Sequence, residues 1–334
     1  MPSKHWWTNL YSSLSCHMQY SPECDIFQGG LIGDRMLFRR SDQKELKMIW
    51  EVEKNHKKSY LVGTAHFSPY SFKTSLHRCL QTARTVLFEG PLDQDSMAKV
   101  VDCGFDHQSN YHIFNDLDRK TIDKITHEIT PKCRDKDTFF IFNLRKFSME
   151  NPVYEMVKGM KPWLAFFTIW SNYLQKNGWK YSVDLEGYTI AEQLAKKIVC
   201  LETIEEQINV LENIPKDRIL EFLKQVDKWP KLARQYAASY LAGDLETLRS
   251  KGLRFPSRHH SVLDRRDHIF FERLADYLNQ GDAVVFVGAP HVSGLSKLLR
   301  EHGYKITGPG IPAAEQITDD RWQKTEDRGP AIRH

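Results

Sequence analysis

No stretch of this chain approaches the 18 or so consecutive apolar residues that span a bilayer. The opening MPSKHWWTNLYSSLSCHMQY also lacks the apolar core and small-residue cleavage site of a secretory signal. Both absences point to a cytoplasmic protein with no stable membrane insertion. The charge is nearly balanced, with 47 Lys and Arg against 43 Asp and Glu for a net +4. Nothing in that balance asks for nucleic acid or an anionic membrane as partner. The six cysteines, Cys16, Cys24, Cys79, Cys103, Cys133 and Cys200, form no CxxC pair. That argues against a thiolate zinc site, and their scatter suits a reducing compartment better than a disulfide frame. No serine or cysteine stands in a GxSxG elbow, which weakens a covalent mechanism.

What remains is a globular composition, 41% hydrophobic and 27% charged over 334 residues. At roughly 150 residues per domain, this is two domains or one large α/β unit with an added helical part. Such a chain can bury a large core without staples. The expected layout is an irregular N-terminal arm over 1–44, an α/β domain over 45–310 and a polar tail over 311–334. Within the domain, the patterning predicts a hairpin from strands at 47–52 and 59–62, with polar turn residues at 53–58. A helix over 71–84 leads to a buried strand at 85–88, a β-helix-β unit that implies a parallel pair. A helical insertion follows at about 92–182, with an aromatic-rich helix near Leu164–Trp170. A helix from Asp184, a strand at 198–201, short helices over 203–250, a long helix at 261–279, a strand at 283–287, a helix at 293–302 and a strand near 304–307 complete the series. The fold class is thus α/β, with a largely parallel or mixed central sheet flanked by helices.

Each short apolar strand runs straight into a residue with acid-base or ligand chemistry. Ser59–Val62 leads to Gly63-Thr64-Ala65-His66, Thr85–Phe88 to Glu89, Ile198–Leu201 to Glu202, and Ala283–Val287 to Gly288-Ala289-Pro290-His291. Ligands of open α/β sheets bind beyond the carboxyl ends of the strands. If these strands are parallel neighbours, two imidazoles and two carboxylates meet at one edge. The two GxxH turns resemble a weak internal repeat in which glycine permits a sharp exit from the strand. Imidazole and carboxylate are the usual ligands of zinc and related divalent ions, which activate water for hydrolysis. The alternatives are hydrogen-bonded turn histidines, a surface Glu89, and a Glu202 that serves only the N-terminus of the helix after it. Arg266 shares a helix face with Leu263, Phe270, Leu274 and Tyr277, so it points inward. A buried guanidinium requires a partner: one of those carboxylates, a substrate carboxylate or an oxyanion. A snorkelling Arg is the alternative. The basic run over 249–268 reads as a solvated face or as a contact for an acidic substrate.

These pieces together resemble the TraB/GumN family, which includes the pheromone-shutdown proteins and the Tiki metalloproteases. The resemblance runs over about 47–307. It rests on Trp50-Glu51-Val52 with Tyr60–His66, Val86–Glu89, Lys161-Pro162-Trp163, Asp184 with Ala191, Leu201-Glu202-Thr203 with Gln207, Arg266, and Val287–Gly294 with Leu298-Leu299 and Gly303-Tyr304. Asp267 stands where the family usually has Asn, and Pro290 where it tends to have a small residue. The resemblance implies an erythromycin-esterase/ChaN-like α/β fold with its site at both GxxH histidines, the strand Glu and the Arg. Its Tiki branch implies metal-dependent peptide cleavage. The expectation is a divalent-metal-dependent hydrolase, a peptidase first, with a peptide or small-molecule substrate. Its catalytic residues would be His66, Glu89, Glu202, Arg266 and His291. Of these, His66, Glu89 and His291 would hold Mn, Co or Zn, and Glu202 or Asp184 would support them or act as base. The rival readings are a protein that sequesters its peptide or small-molecule ligand uncleaved, with the aromatic helix and Trp179 lining the groove, and a metal-free esterase using one histidine as base.

Overall fold

The computed structural model describes residues 42–106, 108, 111–130, 151–252, 255–258 and 260–308. The polar tail and all but the last three residues of the expected N-terminal arm lie outside these. Six strands form one mixed sheet: β1 (Ile49–Lys54), β2 (Lys57–Thr64), β3 (Thr85–Phe88), β4 (Lys197–Cys200), β5 (Ala283–Gly288) and β6 (Lys305–Thr307), in the order β4-β3-β5-β2-β1-β6. The first four of that order are mutually parallel, and β1 and β6 close one side antiparallel. The chain is therefore α/β with helices flanking a mixed sheet, as the sequence implies.

Three local expectations need correction. The hairpin turn is only Asn55-His56, both at positive φ (52° and 61°), because the strands zip through the polar residues up to Lys54 and Lys57. Two residues at positive φ make the tight turn whose twist matches that of the strands. The β-helix-β unit built on α1 (Lys73–Gln81) does give parallel strands, but β2 and β3 are not neighbours, since β5 lies between them. The last helix, α12 (Ala289–Glu301), starts at once after β5 rather than near 293. Pro290 sits in its first turn, where a missing N–H costs nothing, so it opens the helix.

Between β3 and β4 lie α2 (Gln94–Cys103), α3 (Arg119–Ile129), α4 (Pro152–Met156), α5 (Pro162–Lys176) and α6 (Val183–Gln193); between β4 and β5 lie α7 (Ile204–Glu212), α8 (Lys216–Lys224), α9 (Trp229–Ala242), α10 (Leu245–Gly252) and α11 (His260–Gln280). Two cores result. One surrounds the sheet: β3 and residues 283–287 are wholly buried, as a strand covered on both faces must be. Helix α6 packs so closely here that a Cβ on Gly187 would lie 2.4 Å from the Phe286 ring. The other core is helical and aromatic, with Phe166, Trp170, Tyr173, Phe222 and Trp229 in edge and stacked contacts. Among the described residues no helix is long and apolar enough to cross a membrane.

Candidate functional site

The four parallel strands deliver their terminal residues to the same edge of the sheet. A cavity of about 400 Å³ lies between that edge and the helical core, lined by His66, Glu89, Asp184, Arg266 and His291 together with aromatic side chains of α5 and α9. Of the residues expected to be catalytic, His66, Glu89, Arg266 and His291 line this cavity, and Glu202 reaches it through Arg266.

His66 follows β2 in a loop tied to the start of α6. Ser68 and Tyr181 exchange backbone hydrogen bonds of 2.7 and 3.0 Å, and the Val183 N–H donates to the Ala65 carbonyl at 3.0 Å. Ser182 caps α6 through the Leu185 N–H, and Asp184 falls in its first turn, where the helix dipole favours a carboxylate. Asp184 Oδ2 accepts from His66 Nδ1 at 2.9 Å. That hydrogen bond fixes the proton on Nδ1 and leaves the Nε2 lone pair free. The imidazole side chain is 62% exposed, and the space it faces is the cavity it lines. Its pKa lies above 6.5, raised chiefly by the charge and hydrogen bond of Asp184 against the cost of burial.

Arg266 is the hub of the opposite side. On α11 its Nε and Nη2 form a fork on Glu202 at 2.8 and 2.7 Å, Nη2 also donates to Glu89 Oε2 at 3.2 Å, and Nη1 donates to His291 Nε2 at 3.2 Å. Glu202 belongs to the end of β4, where its N–H continues the ladder to the Glu89 carbonyl at 2.7 Å. The helix after it is capped by Thr203 and Glu206 in a capping box, so Glu202 is not needed there. Glu89 Oε1 accepts the Gly288 N–H at 2.6 Å, and a Cβ on Gly288 would stand 3.2 Å from that oxygen. Burial pushes the Glu89 carboxyl up, but the Arg266 guanidinium, the imidazoles and the Gly288 N–H outweigh it and hold the group at about 2.

His291 sits in the first turn of α12, buried, with Nδ1 2.6 Å from Asp267 Oδ1. The two GxxH turns are therefore not equivalent. Gly63 lies inside β2 and pairs with Val287, whereas Gly288 pairs with Thr64. A Cβ on Gly63 would meet Val292 at 3.0 Å, and its carbonyl accepts the Tyr240 hydroxyl at 2.6 Å. Glycine is required there for close packing under α12 rather than for a turn.

Asp267, which is 2% exposed, is not among the site residues expected from the sequence. Its signal was available: 263, 267, 270 and 274 trace an inward stripe on α11 as well as 263, 266, 270 and 274 do, so both neighbours are drawn inside. Burial raises the Asp267 carboxyl, and the His291 hydrogen bond pulls the other way. Also unforeseen are the buried atoms Trp163 Nε1 and Thr64 Oγ1, on residues that line the cavity, with no hydrogen-bond partner among the described residues. In the basic run, Arg249 pairs with Asp264 at 3.0 Å, Arg266 turns inward with its side chain 16% exposed, and Arg258 lies against Tyr236 and Phe255.

Both imidazoles carry a carboxylate behind Nδ1, the arrangement that orients metal-bound histidines. The front atoms differ. His66 Nε2 is open, while His291 Nε2 and both Glu89 oxygens are engaged by Arg266 and Gly288. Among the described residues no three His, Cys, Asp or Glu side chains gather as an ion requires. A divalent ion held by His66, Glu89 and His291 would have to displace the guanidinium from Glu89 and His291.

No curated protein matches the chain. The TraB/PrgY/gumN family model matches residues 48–308, from β1 to just past β6. That span takes in both GxxH histidines, Glu89, Glu202 and Arg266, so the chain belongs to the TraB/PrgY/gumN family.

Proposed function

We propose that this chain hydrolyses an acyl bond, a peptide bond first, in the cavity over the sheet edge. The observation that carries this reading is the His66–Asp184 pair, a carboxylate-oriented imidazole with a free Nε2 facing a cavity. A water beside Nε2 gives its proton to the ring as its oxygen bonds to the substrate carbonyl carbon. Asp184 stabilises the imidazolium so formed. Four N–H groups of Arg266 are engaged, and the remaining Nη1 N–H is the donor for the developing oxyanion. The C–N bond then breaks as Nε2 returns its proton to the leaving amine, which gives a free amine and a carboxylic acid that releases its proton to solvent.

The metal-dependent form is a second reading. It is favoured by the carboxylates at the site: Glu89 and Glu202 share the Arg266 guanidinium, and Asp184 and Asp267 stand behind the two imidazoles. A divalent ion such as Mn, Co or Zn would polarise the carbonyl and acidify water.

Mass spectrometry of mixed peptides and esters incubated with the protein, with and without added Mn, Co or Zn, tests both. His66→Ala should lower turnover on the order of 10² to 10⁴-fold. Equal cleavage by this variant would refute the reading, and substrates bound but left whole would favour sequestration. Turnover that survives exhaustive chelation would end the metal form alone.

A further inference from the structure

The cavity wall carries one cation that the hydrolytic reading does not use. Arg258 lies in the short loop before α11 and lines the cavity with Phe255, Ser257 and Tyr236. Its guanidinium carbon is 5.5 Å from the ring centres of both Tyr236 and Phe255. Among the described residues no carboxylate lies within ion-pairing distance of it, whereas Arg266, the other cavity-lining arginine, is ion-paired with Glu89 and Glu202. Two aromatic rings thus hold a planar fork in place without neutralising it, the state in which an arginine is ready for a carboxylate. Its charge also reaches His66, whose imidazole it disfavours in the protonated form. The rest of the lining is largely apolar, with Trp163, Leu164, Phe167, Trp170 and Trp179 facing the space.

We propose that Arg258 is a specificity residue that binds the free carboxylate of a ligand whose apolar body fills the aromatic part of this cavity. The proposal names the class of substrate or product for the hydrolytic reading and rests on that reading for its catalytic meaning. A fatty-acid-like chain and the C-terminus of an apolar peptide share this chemistry.

Displacement of the neutral fluorophore N-phenyl-naphthylamine from the full chain at pH 7 tests it with two matched pairs. Decanoate is compared with decanol, and acetyl-leucyl-phenylalanine with its C-terminal amide. In at least one pair the acid should displace the fluorophore at a concentration on the order of tenfold lower than its neutral partner. The pair that shows the preference identifies the source. Arg258→Gln should bring the two members of that pair to within about twofold, while Arg258→Lys should retain part of the preference. Equal displacement by acid and neutral partner in the wild type, or a preference unchanged in Arg258→Gln, would overturn the assignment. The readout is binding, so His66→Ala should keep the acid preference even where its turnover is lost. Failure of Arg258 and failure of the hydrolytic reading are therefore told apart.

Discussion

Replacing Arg266 by methionine removes the one cation that balances Glu202 and Glu89, whose side chains are 3% and 13% exposed. Breaking a buried pair by deleting one partner typically costs 3–5 kcal/mol, since the remaining charge stays buried. The Glu89 carboxyl gives an independent magnitude. Held at about 2 rather than its ordinary 4.5, it contributes about 3 kcal/mol of stability at neutral pH, from about 1.4 kcal/mol per pH unit. A depressed carboxylate pKa stabilises fully above 4.5, and that contribution is lost as pH falls toward 2. Without Arg266 the largest force opposing burial is gone, and the Glu89 carboxyl moves up from about 2. The variant then carries a penalty that is present at neutral pH and relieved as pH falls from 4.5 toward 2, the range in which the wild-type contribution is lost. Urea unfolding of wild type and Arg266→Met at several pH values from 7.5 to below 4.5 should therefore show a gap of about 3–5 kcal/mol that narrows on acidification. A gap under about 0.5 kcal/mol at pH 7, or one that does not narrow, would refute the charge argument.

Four further outcomes follow from the same geometry. Arg273→Ala removes a fork on Glu206, which is also held at about 2, but both side chains are about 40% exposed (41% and 39%), so denaturant unfolding should move by under about 1 kcal/mol. Gly294→Ala would set a Cβ 1.8 Å from Asp267 Oδ2, and thermal unfolding should show a loss of about 1–3 kcal/mol, together with reduced turnover as Asp267 is pushed off His291. Tyr240→Phe loses the buried hydrogen bond to the Gly63 carbonyl and should cost about 1 kcal/mol by the same assay. Because Asp184 raises the pKa of His66, and only the neutral ring is a base, turnover should rise with pH through a midpoint above 6.5; Asp184→Asn should bring that midpoint down, and an unmoved midpoint would break the assignment.

The convergence of residues more than two hundred positions apart was legible because a buried parallel strand announces itself as a short apolar run. Whatever follows such a run must emerge at the carboxyl edge. Thr85–Phe88 is found at its expected bounds for that reason. The inward turn of Arg266 was legible from helical spacing alone. The insertion of β5 between β2 and β3 was not, because strand order depends on which crossovers pack, and no local pattern records that. The partners of the imidazoles were half legible. Asp184 stands at a helix start with Ser182 before it, but its approach to His66 depends on the backbone bonds between 65–68 and 181–183, which no spacing rule predicts. Arg258 reads as one more charge in a basic run, and only the adjoining rings of Tyr236 and Phe255 set it apart.

The seat of β5 at the middle of the sheet governs when the site can exist. It is the fifth strand in chain order, yet it separates the strands that carry His66 and Glu89 and supplies the Gly288 N–H that fastens Glu89. Until residues 283–288 have left the ribosome and slotted home, the nascent chain has a gap where the floor of the cavity belongs. The four strand ends thus come together only once β5 has paired on both of its sides.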